Sequence, residues 1–277
     1  MSASSHPPGP SRFAGVPTFV LAVVLTVAYV QTFALWRWLG TVVSSETASA
    51  FPFVVTGLVL AVAVGVGVVI RRRNIRVEWG VVLLGIGIAV ASLFLSDPRF
   101  PAKRIHIVEY GILAIVVRHA FSYRLGGASL LWASVVVTAL LGCHEELLQG
   151  LHPLRTFGPD DIARNVAAAL AGGLVGHGLH LFQREDRAGQ DVSSARTLET
   201  VVVLLGAGLL LLSLASFRSD WIPWWTMAPL LAAGAVWVRR FGAWTGGSLH
   251  PVALGFWLCQ TMSLYPLLSN VSPLVLH

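Results

Sequence analysis

Between Lys103 and Asn165, a chain of 277 residues with only 12% Asp, Glu, Lys and Arg concentrates its chemically versatile side chains. Lys103, His106 and Tyr110 recur at intervals of three and four, which predicts one helix face, with Glu109 three residues beyond His106. His144, Glu145, Glu146 and Gln149 follow, and Glu146 and Gln149 share a face. His152 and Arg155 lie in a loop, then Asp160, Asp161, Arg164 and Asn165 open another helix, Asp161 and Asn165 being four apart. A carboxylate such as Glu146 or Asp161, helped by His106, has the type of a general base. Lys103, Arg155 and Arg164 have the type that holds phosphate, Arg through two parallel hydrogen bonds.

The elements that position these residues are apolar. The chain is 55% hydrophobic with mean hydropathy +0.74, whereas soluble domains carry roughly twice its share of charge. Apolar runs at about 17–39, 52–70, 79–95, 105–121, 128–149, 160–182, 198–217, 223–238 and 250–268 predict an all-α, polytopic membrane bundle of nine spans. Eight are expected if one of the last two, short and rich in Pro, Gly and Trp, does not cross. Met1–Pro10 reads as a disordered Ser/Pro tail, and the first run as a retained helix rather than a signal peptide. The division expected is 1–78 for the tail and two spans, 79–183 for a four-helix core, and 184–277 for the remaining spans. Nine spans at about 20 residues each leave no room for a soluble catalytic domain.

The net charge of +6 raises the possibility of nucleic acid, but cytoplasmic loops of membrane proteins carry the same excess. With the N-terminus inside, twelve of the nineteen Lys and Arg fall on the cytoplasmic side. That orientation puts the start of the fourth span, the end of the fifth and the start of the sixth at one extracytoplasmic end. Charges facing lipid cost about 2.5–3.5 kcal/mol each at the bilayer centre, so these clusters should face one another or a wet cavity. They form either a self-satisfied ion-pair network or a site, and intramembrane ionisable clusters favour a site. Ala168, Gly172 and Gly176 recur every fourth residue, a stripe that lets the sixth helix pack closely.

The pattern resembles the VanZ-like family, named for a teicoplanin-resistance membrane protein. Its members carry Lys-x-x-His-x-x-x-Tyr, here Lys103, His106 and Tyr110. Glu-x-x-Gln follows, here Glu146 and Gln149, then Arg155, Asp161 and Asn165 at the family's spacing. The match spans about residues 79–182. It departs at Ala102, where an acidic residue is frequent and would have partnered Lys103, and at Ala168, where a Gly is frequent. The resemblance implies a cell-envelope role and, in some members, lowered glycopeptide susceptibility. It implies no settled reaction.

His144-Glu145 lacks the second His, Leu148 standing there, of a zinc-protease motif. A looser metal site from His106, Glu109, Glu146, His152 and Asp161 is chemically open but not demanded by spacing, so no metal or cofactor is expected. His119, His177, His180 and His250 fall near the cytoplasmic end, where interfacial histidines are common. Cys143 and Cys259 lie in apolar runs and suggest neither a disulfide nor a zinc site. Two functions stand. One is binding of membrane lipid or a lipid-linked envelope precursor by Lys103, His106, Tyr110, Glu146, Gln149, Arg155, Asp161 and Asn165. The other is a membrane-embedded hydrolase or transferase on such a phosphate, with Glu146, Asp161 and His106 as catalytic candidates.

Overall fold

A computed structural model describes residues 14–42, 65, 68, 72, 76–94, 101–152, 155, 157–183, 194–217, 220–241 and 250–271. Its regular structure is all helical, in keeping with the expected class. The helices are α1 (Val16–Val30), α2 (Thr32–Val42), α3 (Trp79–Phe94), α4 (Ile105–Phe121), α5 (Gly127–Gly150) and α6 (Pro159–Gly178). They continue as α7 (Ser194–Ser216), α8 (Ala228–Phe241), α9 (Pro251–Thr261) and α10 (Leu264–Val271). Among the described residues two stretches are long and apolar enough to cross a membrane, Gly127–Gly150 and Pro251–Val271; Val16–Val30, Trp79–Phe94 and Val201–Ser216 are apolar but shorter. The tail Met1–Pro10 lies outside the described residues, as does nearly all of the 52–70 run.

Three runs end or break earlier than their hydropathy suggests. The first stops at Gln31, whose backbone N–H turns to Ala28 and Tyr29 carbonyls. On either side of that break Tyr29 and Thr32 reach across to Glu109, a tertiary bond that hydropathy does not encode. The last run breaks at Met262 and Ser263 between α9 and α10. The sixth ends at Gly178 rather than 182. There Leu181 N–H donates to Gly176 O and His180 N–H to His177 O, the Schellman pattern of a helix end.

Helix α6 is the central member, lying against α3, α4 and α5, while α1 packs on α4 and α5. Glycines permit this. A Cβ on Gly172 would sit 2.3 Å from Gly111 O on α4, and one on Gly176 would sit 3.0 Å from Arg118 Cδ. The small-residue stripe therefore faces α4. One core, with Phe19, Tyr110, Leu113 and Phe121, fills the space among α1, α4 and α5. A second, with Leu140, Leu147, Phe157, Leu210, Leu230 and Phe256, joins α5 to α7, α8 and α9.

Candidate functional site

Helix α6 starts where the sequence asks it to. Pro159 is preorganised for the first turn, and Asp160 and Asp161 meet the positive end of the helix dipole. Asp161 is buried and central. It accepts from Lys103 Nζ at 2.6 Å and from Arg164 one turn along α6. Lys103, just before α4, keeps 39% of its side chain exposed, while Arg164 is buried. Ala102 leaves Lys103 without the neighbouring acid that the resemblance would supply, and Asp161 takes that place.

A second group adjoins it. His106 Nδ1 lies 3.2 Å from Glu109 Oε2, and Thr32 Oγ1 donates to Glu109 Oε1 at 2.7 Å. Tyr110, fully buried, donates through its hydroxyl to Glu145 Oε2 at 3.4 Å, and Gln149 Nε2 donates to the other Glu145 oxygen. Asn165 Nδ2 donates to Gly142 O at 3.4 Å. A Cβ on Gly142 would meet Asn165 Cβ at 2.8 Å and Tyr110 Cε1 at 3.0 Å, so only Gly admits both neighbours here.

Glu146 differs from all of these. It is 1% exposed, and neither carboxylate oxygen has a hydrogen-bond partner. A buried acceptor left so costs about 1–3 kcal/mol. Above it runs the loop carrying Arg155, pinned by the fully buried Phe157 and by the Arg155 N–H to His152 O bond of 2.9 Å. Burial draws the Arg155 guanidinium below the usual arginine range, against the pull of Glu146 first, then Glu145 and Asp161. Arg155 is thus electrostatically tied to the acids beneath it.

The structure gathers Lys103, His106, Tyr110, Glu146, Gln149, Arg155, Asp161 and Asn165 at one end of α4, α5 and α6. Glu109 and Arg164, weighed above for a metal and for phosphate, belong to the same assembly, as do Glu145, Tyr29 and Thr32, to which the sequence reading gave no ligand role. For Tyr29 and Thr32, two polar residues three apart in an apolar run were the only hint. Among the described residues no group of three or more His, Cys, Asp or Glu is arranged for a metal ion. His144 serves elsewhere, bonding to Tyr265 Oη at 3.1 Å and Leu258 O at 2.8 Å, and so ties α5 to α9 and α10.

The histidines at the far end are engaged in part. His119 Nδ1 lies 3.1 Å from Thr18 Oγ1, and His180 Nε2 lies 3.3 Å from Glu78 Oε1. A separate apolar cleft of about 330 Å³ opens among α5, α7, α8 and α9, lined by Trp132, Leu140, Trp237, Phe256 and Cys259. None of the polar cluster lines it. Set against family models, curated proteins and solved structures, the chain matches none.

Proposed function

We propose that this chain is a multi-pass, VanZ-like protein of the cell envelope whose polar cluster receives the head of an anionic lipid or lipid-linked envelope precursor. Lowered glycopeptide susceptibility is the phenotype that this reading implies. Nine spans with the N-terminus inside would put the cluster on the extracytoplasmic side. Support for the membrane comes from side chains that point away from the core. Val20, Leu21, Val24 and Val27 on α1, and Leu83, Leu84, Ile86 and Phe94 on α3, are all exposed. Apolar patches of this extent need a cover, and acyl chains provide one. Exposed Trp38, Trp79, Trp221 and Trp225 suit the headgroup level.

The observation that carries the reading is the placement of cations over buried acids at one end of three helices. Lys103 and Arg155 stand at the rim, where a phosphate would meet them first. Arg155→Ala is expected to fold with some loss of thermal stability, since Glu146, Glu145 and Asp161 lose a countercharge, and to lose anionic-lipid binding, measured by lipid overlay on detergent-purified protein and by flotation with vesicles. A variant that is destabilised yet binds lipid normally once folded would assign Arg155 to a structural clamp instead.

A second reading, an enzyme acting on a lipid-linked phosphate, is favoured by one specific feature. The unpartnered carboxylate of Glu146 is an acceptor held ready for a proton, with Arg155 above it to meet developing phosphate charge. Glu146→Gln separates the two. For an enzyme, turnover of a lipid-linked pyrophosphate falls about 10²–10⁴-fold with binding retained. For a binding protein, no turnover is seen in either form and affinity is kept. In both cases the substitution should raise thermal stability, because the amide can donate to Glu145 where the carboxylate has no donor.

A further inference from the structure

Arg118, near the end of α4, is 0% exposed, and two of its guanidinium nitrogens, Nη1 and Nη2, have no hydrogen-bond partner. Only Nε is bonded, donating to Leu181 O at 2.9 Å. The side chain lies across Gly176, where a Cβ would stand 3.0 Å from Arg118 Cδ. His177 Nδ1 is likewise buried without a partner. Among the described residues, Glu78 is the acid at this end, and it lies against His180 rather than Arg118. Among the described residues the buried charge here is therefore positive and has no carboxylate against it, the reverse of the acid-rich cluster at the other end.

The cover over Arg118 is strained. His180 (φ 50°) and Phe182 (φ 59°) both adopt the left-handed region that favours glycine. Phe182 rests edge-on against His119, ring centres 4.6 Å apart; besides the Schellman bonds that close α6, the turn is held by Arg118 Nε to Leu181 O and by His180 Nε2 against Glu78 Oε1. A turn that gains backbone freedom when it lifts is suited to admitting a ligand to the guanidinium beneath it. A planar fork with two open nitrogens matches the oxygens of a phosphate.

We propose that Arg118 is the binding group of a second site, at the opposite end of α4 and α6 from the Lys103–Asn165 cluster. It takes a phosphate group, free or as an anionic lipid headgroup, beneath the 179–182 turn. The ligand supplies the countercharge that the described residues do not.

The test uses the full chain carrying Arg155→Ala, which removes the outer cluster's anion contact, in phosphatidylcholine nanodiscs. Inorganic phosphate is added at matched ionic strength against chloride, and in a second arm phosphatidylglycerol is included without phosphate. At a hundredfold excess over its dissociation constant, the effective ligand should raise the Tm by about 5 °C. A rise with phosphate identifies the free ion as sufficient; a rise with phosphatidylglycerol alone identifies the lipid headgroup. Adding Arg118→Gln should abolish the rise while leaving the Tm in plain phosphatidylcholine unchanged or higher, because an unpaired buried charge has been removed. If that variant does not fold, Arg118→Lys keeps the charge without the fork and should lose at least half of the rise. No rise in either arm overturns the proposal. So does a rise that survives loss of the fork, or a Tm lowered by Arg118→Gln with the anion response intact, which would make Arg118 a helix cap.

Discussion

Asp161→Ala should destabilise the chain by about 3–5 kcal/mol, the loss expected when one partner of a buried ion pair is removed and the other stays buried. The asymmetry lies in the partners. Lys103 is 39% exposed and can return to water, but Arg164 is 6% exposed and cannot. Most of the cost therefore comes from Arg164. The double variant Asp161→Ala/Arg164→Met should recover a large part of the stability, whereas Asp161→Ala/Lys103→Met should recover little. Denaturant titration in a fixed detergent would measure all four proteins. Equal recovery from the two double variants would show that the burial difference does not control the energetics. Asp161→Asn should fall between wild type and Asp161→Ala, since the amide oxygen still accepts one bond but carries no countercharge.

Gly172→Ala is the second large effect. The new Cβ would stand 2.3 Å from Gly111 O, 2.8 Å from Gly111 Cα and 2.9 Å from Gly111 C. All three are backbone atoms, so no side chain can rotate away, and α4 and α6 must separate. Overpacking of this kind costs about 1–3 kcal/mol and sometimes more. The separation should also lengthen the Lys103–Asp161 pair, because Asp161 stands on α6 and Lys103 in the turn that leads directly into α4. Gly111→Ala is the control: its Cβ meets nothing within 4 Å. It should be neutral or stabilising by up to about 1 kcal/mol, as for Gly to Ala within a helix. Thermal unfolding of both variants would check the contrast, and a Gly172→Ala protein as stable as Gly111→Ala would refute the close approach.

These two glycines show where reading the chain stops. The stripe Ala168, Gly172, Gly176 announces close packing, because small residues every fourth position have few other uses in an apolar helix. It does not say that α4 is the partner, nor that Gly172 rather than Gly111 carries the clash. The same division holds at the candidate site. Residue type and helical spacing put Lys103, His106 and Tyr110 on one face, and Pro159 with Asp160 and Asp161 marks the start of α6, because helical periodicity and capping are local properties. An all-helical class follows from hydropathy for the same local reason, since backbone groups in apolar surroundings must bond within their own segment.

Only the tertiary structure decided which charges meet. Asp161 takes Lys103 from 58 residues away, and Glu109 takes Thr32 from 77 residues away in a helix that the motif does not include. Those pairings depend on how α1, α4 and α6 are turned about their axes, and that rotation is set by side-chain packing across the whole bundle. The same rotation leaves Glu146 and Arg118 buried without full partners at opposite ends. Nothing in their own sequence neighbourhoods distinguishes them from Glu145, whose two oxygens both accept hydrogen bonds, or from Arg164, which has Asp161 as its countercharge. Burial and pairing are properties of neighbours in space, and the apolar runs could have been packed in other ways without changing a single local preference.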